Sequence, residues 1–281
     1  MKMVNYKKKL FGKEIEIIIW DTKENLANNI IEEAYIEGLR LQKIFNFFDE
    51  KSTLSLLNKK RKLKVPVEFL QVLNKSLEMC KKTNGLYDIS LGKQFLQRKK
   101  ALNITKVECS YKDIRINSNE VELLHTDVLI DLGSIAKGYI TDKMIDFLKS
   151  QGIVSGLIDA RGDIRIFGKY NNIIEVQHPR DKNKSICAIK LKNSGVATSG
   201  DYNQYHENFD NCHIINKKDY ISVTAIAPNL TEADLFATSI FVTPKEDIDK
   251  ILTNKKVKLL CIDKNLKIEK YNKFDEVIYQ E

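Results

Sequence analysis

Residues 131–138 read DLGSIAKG and follow directly on the apolar run DVLI. An acidic side chain, two glycines, a serine and a lysine therefore sit where a buried strand is predicted to end and a helix to begin, near Ser134–Ala136. A glycine before a helix start lets a ligand approach the backbone closely. The free amides of a first helical turn favour anions, phosphate above all. Lys137 opposes the helix dipole in that position, so it serves an anion better than it serves helix stability. A plain ion pair between Asp131 and Lys137 at the junction is the alternative reading of the same residues.

A second stretch, TEADLFATSIFV at 231–242, places Asp234 and Thr238 four residues apart. On a helix this puts both on one face, with Cβ atoms about 5–6 Å apart. A carboxylate and a hydroxyl so placed are the oxygen donors that Mg²⁺ takes, its remaining positions going to water or substrate phosphate. The competing reading is an acid placed by the helix dipole and a threonine facing solvent. In SGVATSGDYNQYHENFDNCHIIN, at 194–216, small and hydroxyl-bearing residues read as a strand edge opening into a ligand-contacting loop. His206 and His213 follow, and either can be structural. Cys212 precedes His213, but neighbours in sequence point apart and make a poor nucleophile pair. Tyr87 and Asp88, in NGLYDISLG at 84–92, follow a helix stop, and Tyr87 either stacks on a flat ring or fills the core.

The elements that must position these residues are mixed. A strand is expected over 14–20, a long amphipathic helix over 23–47 and another over 66–85, started by Pro66 and stopped by Asn84-Gly85. A short helix is expected within FDEKSTLSLLNKK, and short strands around 113–130. GYITDKMIDFLKSQG at 138–152 reads as a helix closed by Gly152. GLIDARGDIRIFGK and NIIEVQHP read as paired strands, and ISVTAIAP at 221–228 as a buried strand. Thr231 is expected to cap a helix running through Phe241, with two helix–strand segments after it. There is no regular βαβ rhythm, no GxGxxG and no GxxxxGK[ST], so the fold class is α+β rather than a Rossmann or P-loop fold.

The 281 residues suit one large domain, and an apolar content of 43% is enough for a proper interior. The net charge of +8 is scattered along the chain without an aromatic-rich basic motif, which argues against nucleic acid and suits an anionic small molecule. Five cysteines without a CxxC pair point to reduced thiols in a cytoplasmic setting and away from a zinc site. No apolar run is long enough to insert in a membrane, and the basic N-terminus lacks a signal-peptide core.

The order of the motifs LYDISLG, DLGSIAKGYITD, DARGDI, VATSGDY and SVTAIAPNLTEADLFAT resembles the ApbE family of FAD:protein FMN transferases, from about Phe11 to Val242. FDEKSTLSLLN looks like the family's early serine-and-asparagine segment. The resemblance implies an ApbE-like α+β fold over residues 1–281, with mixed, largely antiparallel sheets flanked by helices and an active site between two subdomains. It implies Mg²⁺-dependent transfer of FMN from FAD to a Thr or Ser of an acceptor flavoprotein, with release of AMP. By the same resemblance Asp234 and Thr238 would bind the metal through side chains and Ser134 through its carbonyl. Phe11, Leu86, Tyr87, Asp88, Asp131, Lys137 and Ile215 would contact FAD, Thr198, Ser199 and Gly200 would border its diphosphate, and His213 would be the base for the acceptor hydroxyl. An FAD pyrophosphatase, or a flavin binder without catalysis, shares most of these requirements. The chain departs from the family at Arg161, where a glycine is usual, leaving contact with a phosphate or a narrower pocket as its role, and in NKKDY, a shortened loop after the histidine segment.

Overall fold

An eight-stranded antiparallel sheet frames the protein in a computed structural model that describes residues 3–202, 205–206, 208–212, 214–253 and 256–280. In chain order the elements are β1 (Met3–Leu10), β2 (Lys13–Trp20), α1 (Glu24–Phe45), α2 (Thr53–Lys60), β3 (Lys62–Lys64), α3 (Val67–Lys82), α4 (Gly92–Lys99), β4 (Ile114–Asn117), β5 (Glu120–Leu123) and α5 (Ala136–Ser150). They continue as β6 (Gly156–Ala160), β7 (Asp163–Phe167), β8 (Asn172–His178), β9 (Asp181–Leu191), β10 (Gly195–Gly200), β11 (Tyr205–His206), β12 (Asn208–Cys212), β13 (Tyr220–Ala227), α6 (Leu230–Phe241), α7 (Ile248–Ile251), β14 (Lys258–Asp263) and β15 (Ile268–Tyr271). The large sheet has the order β1-β2-β6-β7-β10-β13-β14-β15, and β3-β5-β4, β8-β9 and β11-β12 form small separate sheets.

The large sheet is covered on both faces, and the period of two in its strands sorts the residues. Ile15, Ile17 and Ile19 of β2, Ile158 of β6, and Leu259 and Cys261 of β14 join the helices in one core, with Phe69 of α3, Met144 of α5 and Phe241 of α6. Their neighbours Trp20, Leu157, Leu260 and Ile262 face the other way, onto Val176 and Ile189 of the β8–β9 hairpin. Among the described residues no helix is long and apolar enough to cross a membrane.

Several expected elements differ from those found. Met3–Leu10 forms β1, unexpected from a lysine-rich stretch, because its alternate lysines point outward while Val4 and Leu10 are buried. GLIDARGDIRIF is itself the β6–β7 hairpin, and NIIEVQH pairs with β9 instead. VATSG lies in an interior strand between β7 and β13, rather than at an edge. DVLI forms no ladder strand: Asp127 lies in a turn, and Leu129 makes an isolated bridge to Leu91. Asn229, not Thr231, caps α6, its Oδ1 accepting the Glu232 amide at 2.8 Å. Thr231 lies inside the helix and is buried.

Candidate active site

Four elements bring the charged and hydroxyl groups together. Lys137 stands in the first turn of α5, Asp163 opens β7, Thr198 and Ser199 end β10, and Asp234 and Thr238 share one face of α6. The Lys137 ammonium is ion-paired with Asp163, whose Oδ1 also accepts the Thr198 amide at 3.2 Å. The Thr198 hydroxyl meets that of Thr224 at 2.9 Å, and the Ser199 hydroxyl meets that of Thr238 at 2.9 Å. Asp234 is 6% exposed, and its Oδ2 accepts the Gly138 amide of α5 at 3.0 Å.

The electrostatics follow from burial. Desolvation, reinforced by the nearby Asp163 carboxylate, pushes Asp234 up to about 7, with Lys137 opposing. Burial alone would favour a neutral Lys137 amine, but the Asp163 and Asp234 carboxylates hold it above the ordinary lysine value. The site therefore keeps its ammonium charged at neutral pH and holds Asp234 close to its titration point, awaiting positive charge.

The placing of α6 depends on Asp142 of α5. Its Oδ1 accepts the Leu230 amide at 3.1 Å and its Oδ2 the Thr231 amide at 2.8 Å. The Thr231 hydroxyl donates to the same Oδ2 at 2.5 Å, and the buried Arg165 donates to Oδ1 at 2.9 Å. One carboxylate thus satisfies the orphan amides that begin the helix carrying Asp234. Gly138 makes the contact close: a Cβ there would lie 2.5 Å from the Leu230 carbonyl oxygen.

The LYDISLG segment runs beside residues 129–131, with the Leu129 amide donating to Ser90 O at 3.1 Å and the Asp131 amide to Ile89 O at 2.9 Å. Asn58 of α2 grips the same stretch, exchanging hydrogen bonds of 2.8 and 2.9 Å with the Ile130 backbone. Tyr87 is buried, and its hydroxyl lies 2.7 Å from the Ser134 hydroxyl. Both Asp88 oxygens are taken by backbone amides, of Ser90 at 2.8 Å and Tyr111 at 3.0 Å. Asp131 Oδ1 accepts the Gly133 amide at 2.9 Å, and burial raises its carboxyl above the usual range. Leu86 is half-buried in this segment, and Phe11, also half-buried, sits at the β1–β2 turn. Gly200 is buried at the end of β10, and Ile215 is half-buried in a turn after β12. His213 lies outside the described residues.

Both plain alternatives fail. Lys137 pairs with Asp163 rather than Asp131, which is occupied by the Gly133 amide. Asp234 and Thr238 turn to α5 and β10 rather than to solvent. Sequence reasoning missed Asp163 and Asp142; an acid heading the apolar strand DIRIF was the available signal for the first.

Among the described residues no three of His, Cys, Asp and Glu converge as a metal cluster. The donor set is one buried carboxylate, whose Oδ1 makes no protein hydrogen bond among the described residues, and hydroxyls. Such hard oxygens in small number fit Mg²⁺, which keeps waters or phosphate oxygens as its other ligands.

The fold that carries this cluster is shared with known proteins. The ApbE family model matches residues 11–262, and the chain belongs to that family. An FAD:protein FMN transferase of Buchnera aphidicola subsp. Schizaphis graminum is 28% identical over 260 residues, covering 81% of this chain and 74% of that protein. The crystal structure of the ApbE protein from Thermotoga maritima superposes with a TM-score of 0.85 at 26% identity, covering 99% of this chain and all of that one. The flavin transferase ApbE from Vibrio cholerae shares the fold, with a TM-score of 0.77 at 20% identity over 96% of each chain.

Proposed function

We propose that the protein transfers FMN from FAD to a threonine or serine hydroxyl of an acceptor flavoprotein, releasing AMP. The observation that carries this reading is the convergence of Lys137, Asp163, Asp234, Thr238 and Ser199 at the junction of α5, α6 and β10. Family membership and the name shared by its relatives support it. The reaction forms a bond between the acceptor oxygen and the FMN phosphorus and breaks the bond from that phosphorus to the bridging oxygen, which leaves with AMP. The hydroxyl proton passes to a base, the role assigned to His213, since a neutral imidazole suits it near pH 7.

Asp234 and Thr238, with the Ser134 carbonyl, would hold Mg²⁺, which when bound neutralises diphosphate charge. Lys137 adds a fixed positive charge beside the same group, held in place by Asp163. Thr198, Ser199 and Gly200 border the diphosphate, and Leu86, Tyr87, Asp88, Asp131, Phe11 and Ile215 bound the rest of FAD. Residues 1–281 act as one domain in this reading, in the cytoplasm, where the five cysteines remain free thiols.

Mass spectrometry of candidate acceptors incubated with the protein, FAD and Mg²⁺ tests the reading. An FMN adduct on a threonine or serine is expected. AMP release in the absence of any acceptor, with no adduct when one is present, would make the protein a pyrophosphatase instead.

A further inference from the structure

Two hairpin tips of the large sheet carry residues in the left-handed region. Phe11 (φ 54°) and Gly12 (φ 76°) join β1 to β2, and Arg161 (φ 67°) and Gly162 (φ 91°) join β6 to β7. Left-handed conformations at both central positions are what a tight two-residue hairpin demands, and glycine or asparagine fills them at least cost. A long cationic side chain at such a position is held against local preference, which directs attention to what its head does. The Arg161 Nη1 donates to the Phe11 carbonyl at 2.8 Å, tying the two tips together. Among the described residues this is its one hydrogen bond to protein, and Arg161 takes part in no ion pair with them.

Arg161 is exposed, and its turn leads directly into Asp163, the partner of Lys137. Of the two cations, only Lys137 has a carboxylate partner among the described residues. A guanidinium fixed at one nitrogen still presents the rest of its planar fork, the shape that binds two phosphate oxygens at once.

We infer that Arg161 is a binding residue for the donor nucleotide, giving a second cationic contact to its phosphates beside Lys137. The inference rests on the flavin-transfer reading and assigns that site a residue of this chain's own. The tie to Phe11 aims the fork; the charge supplies the affinity.

Binding of FAD to the full chain in Mg²⁺, followed by flavin fluorescence or calorimetry, separates the two. Arg161→Gln keeps a donor for the Phe11 carbonyl and drops the charge, whereas Arg161→Lys keeps the charge. Arg161→Gly suits the turn and should melt no lower than the parent. Loss of the charge is expected to weaken FAD about tenfold in the Gln and Gly variants, the range of one charge-assisted hydrogen bond, with the Lys variant nearer the parent. A Gln variant that binds FAD as tightly as the parent, or a Lys variant that loses as much as the Gln variant, overturns the inference. A parent that binds no FAD overturns the flavin reading and this inference together, so the two failures are distinct.

Discussion

Replacing Asp234 by asparagine should make the metal-free protein more stable while destroying its activity. Asp234 is 6% exposed, and its carboxyl is raised from 3.8 to about 7 by burial and by Asp163. A carboxyl raised in the folded state keeps its proton where the unfolded chain has already released it. Stability is therefore lost as pH rises from about 4 to about 7, and the full cost applies above that window. At about 1.4 kcal/mol for each pH unit the cost is ~4 kcal/mol, with the attraction of Lys137 for the ionised carboxylate already included in that shift. Asparagine keeps an acceptor for the Gly138 amide and carries no charge to desolvate. For a chain of this size, a gain of ~2–4 kcal/mol should raise the melting temperature by several degrees at pH 8 in EDTA. The gap between variant and parent should close near pH 4. Adding Mg²⁺ at pH 8 should raise the melting temperature of the parent and leave that of the variant unchanged. A variant that melts below the parent at pH 8, or a gap that is the same at both pH values, would refute the reasoning.

Other substitutions probe the frame and the base. Gly138→Ala forces a Cβ to within 2.5 Å of the Leu230 carbonyl oxygen, so α5 and α6 must separate; a loss of ~2 kcal/mol or more is expected in denaturant melts, with activity lost alongside. Asp142→Ala leaves the Leu230 and Thr231 amides without their acceptor and Arg165 buried without a counter-charge, and should cost ~3 kcal/mol or more by the same measurement. Asp201 is wholly buried and accepts Arg180 at 2.7 and 3.0 Å and Lys217 at 2.9 Å, so Asp201→Ala should destabilise by a comparable amount and raise sensitivity to proteolysis next to β12. His213→Ala should slow FMN transfer far more than it weakens FAD binding; equal loss of both would remove His213 from the role of base.

What the sequence disclosed was whatever local spacing controls. The i, i+4 pair Asp234–Thr238 sat on one helical face as expected, and the start of α5 fell within DLGSIAKG. Contacts between distant segments were not legible. Nothing near Lys137 in the sequence marks Asp163, 26 positions on, as its partner, and nothing near Leu230 marks Asp142 as the acceptor for its amide. The strand errors have a related cause. Alternation in β1 was hidden because Lys8, between the exposed Lys7 and Lys9, falls on the same side as Val4, Tyr6 and Leu10, and the interior place of β10 depends on pairings made by β7 and β13. Asn229 displaced Thr231 as the cap because the threonine hydroxyl was already engaged by Asp142.

The backbone of Leu230 is flanked by two glycines from different elements. Gly138 of α5 abuts its carbonyl, and Gly195 of β10 abuts its amide and Cα, so that a Cβ at either would lie 2.5 Å away. The root of α6 is thus set like a keystone between helix and sheet, with no slack on either side. Bulk added at either glycine would therefore displace Asp234 and Thr238 together, because both ride on the helix that starts there.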